Sequence, residues 1–263
     1  MRTEDPSREP ANEDARDGSR VQSVDRAVML LRAISTSAHP PTAWELARAC
    51  GINRSTAWRL LQTLEHHALV ERDPTTGRYG IGYTALEVAA SAGYDGLARR
   101  ARPILERVAQ DAGESVMLAA ARRFSLVYVD QVDPPTVPTA NWLGRQLPLH
   151  ATSTGKAYLA FMTREERDTA LPARLERFTA TTVTDRRTLE TQLAEVRRAG
   201  FATCVGELEE SLFGASAPVL SEQARPVAIV SVWGTEHRLP RERLDDVGER
   251  ALAAAAEIKD VLR

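Results

Sequence analysis

Along one short stretch of this chain, Ser55, Arg59, Gln62 and His66 recur at spacings that gather them on one side of a helix, with Arg54 and Trp58 flanking them. Arg and Gln carry forked polar groups that match base edges in a DNA major groove, and Ser can serve a base or a phosphate. The opposite side carries Ala57, Leu60, Leu61, Leu64 and Ala68, one narrow apolar stripe at helical spacing. A polar helix face is by default only a solvated surface. The flanking segments decide between the two readings.

Those segments supply a scaffold. Thr42-Ala-Trp-Glu45 has the pattern of a capping box, in which the Thr hydroxyl takes a free amide and the Glu carboxylate reaches back. The helix it starts runs to Cys50, Gly51 suits the sharp turn, and Asn53 caps the polar-faced helix. Upstream, Ser23 to Ile34 places Val24, Ala27, Val28, Leu31 and Ile34 at helical spacing, so three helices can share one core. Downstream, Leu69 to Arg72 and Arg78 to Ile81 bracket Asp73-Pro-Thr-Thr-Gly77 as a hairpin. Arg72 and Arg78 then sit where such a wing meets a phosphate backbone. The order is that of a winged helix-turn-helix.

The 263 residues suffice for two domains, and 34 basic against 36 acidic side chains give a net charge of −2. With no global basic field, DNA affinity must come from a local patch, which Arg54, Arg59, Arg72 and Arg78 supply. Two cysteines, Cys50 and Cys204, do not make a disulfide framework, no apolar run approaches the ~20 residues of a membrane span, and no signal segment is seen. A cytoplasmic protein without membrane contact is expected. Met1 to Arg20 is charged and poor in large apolar residues, which reads as a flexible tail; its acidic excess speaks against a minor-groove arm.

Beyond the hairpin, Tyr83 to Tyr94 suits a linking helix, and Leu97 to Ala112 a further helix holding Pro103. Strands are expected at Ser115 to Ala121 and Phe124 to Val132, with a turn at Arg122-Arg123, and again at Phe201 to Val205, Gly214 to Val219 and Val227 to Trp233. Helices are expected at Gly155 to Met162, Arg164 to Leu171, Arg186 to Arg198 and Arg241 to Leu262. Such an order makes a mixed α/β domain of the α+β kind.

Catalytic chemistry finds no foothold. Thr152-Ser-Thr-Gly-Lys156 lacks the glycine before and the hydroxyl after that a phosphate loop needs. No nucleophile elbow surrounds Ser153, and none of the five histidines stands at a metal-ligand spacing from a cysteine or carboxylate. No enzyme, metal or cofactor is expected.

The runs Ser23-Val-Asp-Arg-Ala-Val-Met-Leu-Leu31, Glu45-Leu-Ala-Arg-Ala-Cys-Gly-Ile52 and Ser55-Thr-Ala-Trp-Arg-Leu-Leu-Gln-Thr-Leu64 resemble the DNA-binding domain of the IclR family of bacterial transcription regulators. Leu147-Pro-Leu-His-Ala-Thr-Ser-Thr-Gly-Lys-Ala157, Glu207-Leu-Glu209 and Ala217-Pro-Val219 resemble that family's effector domain. The resemblance implies a tail over 1–20, a winged helix-turn-helix over 21–82, a linker helix over 83–96 and a GAF-like effector-binding domain over 97–263. The DNA-contacting set it implies, with the helix and wing residues above, is Arg26, Asn53, Arg54, Ser55, Thr56, Trp58, Arg59, Gln62, Arg72 and Arg78. The effector set it implies is Trp142, Leu149, His150, Ala151, Thr152, Gly155, Cys204, Phe213, Gly214, Ser231 and Trp233.

Family members that take small carboxylic acids tend to carry Asp, Cys and Ser where this chain has Cys204, Gly214 and Trp233. The departures remove polar contacts and add a ring. An aromatic or apolar-bodied carboxylate is therefore expected in place of a two- or three-carbon acid, with Trp233 and Phe213 as plain core residues the competing reading. Amides near Ala151 and Gly155 are candidate carboxylate holders. The implied partners are a palindromic operator, a small-molecule effector and further copies in a homodimer or homotetramer, for which Trp44 and the first helix are candidate contacts, against a core role for both. Repression and activation stay open, as do a ligand sensor acting through protein contacts and a constitutive DNA binder with a vestigial pocket.

Overall fold

The computed structural model describes residues 21–91, 94–122, 124–135 and 140–262. The expected tail over 1–20 and Arg123 of the expected turn lie outside them. The chain divides into two compact units, Met1–Ala92 and Gly93–Arg263. Among the described residues no helix is long and apolar enough to cross a membrane.

In the first unit, α1 (Gln22–Thr36), α2 (Ala43–Ala49) and α3 (Arg54–His66) pack on a small core, and β1 (Val70–Arg72) pairs antiparallel with β2 (Tyr79–Ile81) before α4 (Tyr83–Ser91). The capping box forms as its pattern demands: the Glu45 amide donates to Thr42 Oγ1 at 3.3 Å and the Thr42 amide to Glu45 Oε2 at 2.7 Å. Asn53 Oδ1 accepts from the Thr56 amide at 2.8 Å and starts α3. Leu30, Ile34, Leu46, Leu61, Leu64, Val70 and Tyr79 form the core.

Two expectations about that core fail. On α1 the buried positions are Leu30 and Ile34, whereas Val24 and Val28 are exposed together with Met29. Ala27, Leu31 and Ile34 face the core as expected, with Leu30 and Ala33 beside them, and the stripe fails only at Val24 and Val28, because α2 and α3 meet α1 along its Leu30 side. Ala68 is not on the α3 stripe either: the helix stops at His66, and Ala68 is exposed at a left-handed φ of 51°, turning the chain into β1.

The wing's return strand is fastened to the entry of α2. The Tyr79 amide donates to the Pro41 carbonyl at 2.8 Å, Arg78 Nη1 to the Pro40 carbonyl at 2.7 Å, and Thr42 bridges Arg78. At the wing tip Asp73 Oδ1 accepts from the Thr75 and Thr76 amides at 2.7 and 2.9 Å.

The second unit is an antiparallel five-stranded sheet in the order β4-β3-β7-β6-β5. Its strands are β3 (Ser115–Arg122), β4 (Ser125–Val132), β5 (Ala202–Val205), β6 (Leu212–Leu220) and β7 (Pro226–Thr235). Strand residues alternate between two faces. Val116, Leu118, Phe213, Ala215, Val230 and Val232 share one core with α5 (Asp95–Ala112) and α9 (Leu244–Val261). Met117, Ala119, Ile229 and Trp233 share the other with α6 (Ser153–Leu159) and α8 (Arg186–Ala199), beside the short α7 (Arg164–Ala170). The helix α5 begins at Asp95, inside the expected linker, and holds Pro103; a 3₁₀ turn at Arg241–Arg243 precedes α9.

Candidate nucleic-acid interface and ligand cavity

The outer face of α3 forms as its periodicity demands. Arg54, Ser55, Trp58, Arg59, Gln62 and His66 are all exposed, while Ala57 and Leu61 on the far side are fully buried. Arg54, Arg59 and Gln62 have no hydrogen-bond or ion-pair partner among the described residues; Ser55 Oγ donates to Asn53 Oδ1 at 3.0 Å. Thr56 is half-buried and Arg26 lies half-buried on α1. The helix thus holds out two guanidinium groups, an amide and an indole, with no partner for the guanidinium groups or the amide among the described residues.

The two wing arginines differ. Arg72 is exposed and packs over the wing turn, 3.3 Å from where a Cβ on Gly77 would stand. Arg78 is engaged inside the unit, with the Pro40 carbonyl and with Glu45 Oε2 at 3.6 Å. On α2, Trp44 is exposed and Arg48 stacks over its ring at 5.8 Å. The core role expected for Trp44 fails.

In the second unit, cross-strand register brings distant residues into rows. Cys204 pairs with Gly214, Gly214 with Trp233, and Trp233 with Ser115, one row across β5, β6, β7 and β3. The next row on that face runs Ala202, Ser216, Ser231, Met117. The Trp233 ring lies over Gly214 so closely that a Cβ there would stand 2.9 Å from its Cδ2. Gly214 is therefore what lets the indole lie down on the sheet.

Beneath the ring, hydroxyls satisfy one another. Tyr128 and Thr154 are 3.0 Å apart, Thr154 and Ser231 2.8 Å, Ser231 and Ser216 2.9 Å, and Ser216 and Ser153 2.8 Å. Burial holds the Tyr128 phenol well above its ordinary value, and it raises the Cys204 thiol to about 11. That thiol donates to the Ala151 carbonyl at 3.4 Å. A closed network of this kind has little left for a ligand.

The cavity lies beside this network, not over it. It measures about 330 Å³ and is walled by Met117, Tyr128, Trp142, Leu147, Leu212 and Trp233, with Leu208, Ala140 and Gly234 completing the apolar lining and Glu114, Ser115, Glu209, Thr235 and Arg238 as its polar members. Of the expected effector residues, Trp142 and Trp233 line it. Leu149 is core, and His150 turns its Nε2 to the Glu176 carbonyl at 2.8 Å, its ring tilted against Phe178. Gly155 is packed on the Leu149 carbonyl, where a Cβ would approach to 2.2 Å.

Two expectations are corrected here. Phe213 points to the opposite side of the sheet, into the α5 and α9 core, because it is one residue out of phase with Gly214. The amides of Ala151 and Gly155 cannot hold a carboxylate, since the first donates to the Pro148 carbonyl at 3.3 Å and the second to Thr152 Oγ1 at 3.0 Å. The other twelve wall residues lie outside the expected effector set, among them Glu114, Ser115, Met117, Tyr128, Leu208 and Arg238. Only the alternation of Ser115 with Met117 hinted at a shared face. Among the described residues no three His, Cys, Asp or Glu side chains are placed to hold a metal ion.

Residues 23–74 match the IclR helix-turn-helix domain, and residues 90–260 match the bacterial transcriptional regulator IclR C-terminal domain. The HTH-type transcriptional regulator BhcR of Paracoccus denitrificans is 30% identical over 93% of this chain and 88% of its own length. The transcriptional repressor IclR of Escherichia coli is 29% identical over 95% of this chain and 93% of its own. A crystal structure of an IclR homolog from Microbacterium hydrocarbonoxydans complexed with 4-hydroxybenzoate is similar at a TM-score of 0.59 and 26% identity, covering 92% of this chain and 99% of that one.

Proposed function

Because the chain belongs to the IclR family of bacterial transcriptional regulators, a DNA-binding and non-enzymatic family, we propose that α3 is the helix it lays in the major groove of its operator. The observation that carries this is the outer face of α3, where Arg54, Trp58, Arg59 and Gln62 stand exposed and Arg54, Arg59 and Gln62 have no partner among the described residues. Asn53, Ser55 and Thr56 start that helix and set its depth, Arg26 and Arg72 reach the phosphates, and Arg78 braces the wing.

A second copy covers exposed apolar side chains of the first unit, Val24, Val28 and Met29 on α1 and Tyr83 and Leu86 on α4, and the operator is palindromic in consequence. The protein acts in the cytoplasm on a nearby catabolic operon. The effector is an aromatic or apolar-bodied carboxylate held in the 330 Å³ cavity, a size suited to one ring. The 4-hydroxybenzoate complex of a similar protein supports that class. A coupling of ~1–3 kcal/mol between the cavity and α3 is enough to change operator occupancy 5- to 150-fold.

Fluorescence anisotropy of the full chain on DNA upstream of its own gene, at physiological salt with excess competitor, tests this. Competitor-resistant binding that an aromatic acid relieves or strengthens is the expected result. Binding no tighter than the ~10⁻⁴–10⁻⁶ M of nonspecific contacts would sink the operator assignment.

A further inference from the structure

The polar groups of the cavity wall are of two kinds. Glu114 is 2% exposed and already neutralised, with Arg238 at 3.3 Å and Arg243 at 3.7 Å. Arg238 also donates to the Gly113 carbonyl at 2.5 Å, and no other cation lines the cavity among the described residues. Glu209, exposed at the rim, adds a negative charge without an ion-pair partner among the described residues. A carboxylate driven to the bottom would meet no free positive charge, and an unpaired buried carboxylate is strongly disfavoured. Outside, Arg145 stacks on the wall residue Trp142 at 5.2 Å and is exposed. A carboxylate is better placed there, in water.

Ser115 and Trp233 are the second kind. They are register partners across β3 and β7, and among the described residues Ser115 Oγ and Trp233 Nε1 are both buried without a hydrogen-bond partner. Trp233 Nε1 lies close to the Tyr128 hydroxyl without completing a bond to it. An indole N–H can only donate, and a serine hydroxyl turns to donate or accept. Groups of this sort are a standing penalty that one ligand oxygen removes. The hydroxyls below them are not candidates, because they already pair among themselves.

Resting on the ligand reading above, we infer that Ser115 and Trp233 form the inner anchor of the effector and read an uncharged oxygen, while its carboxylate stays at the mouth. The effector is then an aromatic acid with a second, neutral oxygen substituent, a hydroxyl or carbonyl, across the ring from the acid. Both residues are specificity determinants, and neither is a charge partner.

Calorimetric titration of the full chain with 4-hydroxybenzoate, benzoate and 4-hydroxybenzyl alcohol tests this. Benzoate should bind about ten-fold more weakly than 4-hydroxybenzoate, the worth of one buried hydrogen bond, and the alcohol should stay within a few-fold of the acid. In Ser115→Ala and in Trp233→Phe the ratio between the two acids should fall toward one. Equal binding of the two acids by the wild type, an unchanged ratio in the variants, or loss of the alcohol alone overturns the anchor and leaves the ligand class standing. Failure of all three probes to bind overturns the ligand class and the anchor with it. If Trp233→Phe does not fold, Ser115→Ala, which removes one buried hydroxyl, decides alone.

Discussion

The outer face of α3 and the inner face of the β-sheet are both polar, and they differ in where their polar groups turn. On α3, Arg54, Arg59 and Gln62 have no partner among the described residues. On the sheet, Tyr128, Thr154, Ser231, Ser216 and Ser153 are closed on one another, and among the described residues that line the cavity only Ser115 and Trp233 keep a buried unpaired polar atom. An exposed donor keeps water until a ligand displaces it, so a surface reader can hold many ready groups without loss of stability. A buried one cannot, so an interior site holds few.

The sharpest way to break this contrast is at Arg59. Arg59→Ala should lose about 1–3 kcal/mol of operator binding, roughly 5- to 150-fold, and leave thermal stability within ~0.5 kcal/mol of wild type. A large loss of stability would mean that the face is structural after all. The sheet should behave in the opposite manner. Gly214→Cys alone should destabilise the second unit, because its Cβ would press on the Trp233 ring and on the Val232 carbonyl. Joined to Trp233→Ser, at least the ring contact is relieved, and urea unfolding of the wild type and the three variants should show a coupling of about 1–2 kcal/mol. Strictly additive costs would remove the argument that the two positions form one unit.

The smallest expected effect concerns acid. The Thr42 amide and hydroxyl, and then Arg78, hold the Glu45 carboxyl below its ordinary value of 4.5. The unfolded carboxyl therefore takes its proton first as pH drops. The contribution of the capping box is complete above about 4.5 and is lost as pH falls through the lower native value. Hydrogen exchange of α2 amides should quicken below that range, and Thr42→Ala should flatten the dependence. A wild-type profile with no acid limb would contradict it.

Much of the first unit was legible in the sequence because its signals are local. Thr42 and Glu45 sit three residues apart and Asn53 three before Thr56, within the reach of a capping rule. On α1 the spacing finds Ala27, Leu31 and Ile34 but not Leu30, and Val24 and Val28 fall outside the core for a tertiary reason: α2 and α3 meet the helix along Leu30 and Ile34. In the second unit the strands were legible to within a residue or two at most ends, and their order was not. Ser115 and Trp233 become neighbours only through the pairing of β3 with β7. Phe213 failed for the same cause, since one residue of register decides which face a side chain serves.

The indole of Trp233 resting on Gly214 bears on how such a chain can change over generations. On the proposed reading of α3, positions 54, 59 and 62 can each be exchanged singly, so new operators lie one mutation away. A polar floor beneath the proposed ligand needs positions 214 and 233 to change together, and a cysteine arriving first would meet the ring at 2.9 Å. Descendants of this protein should acquire new target genes far more readily than new signals.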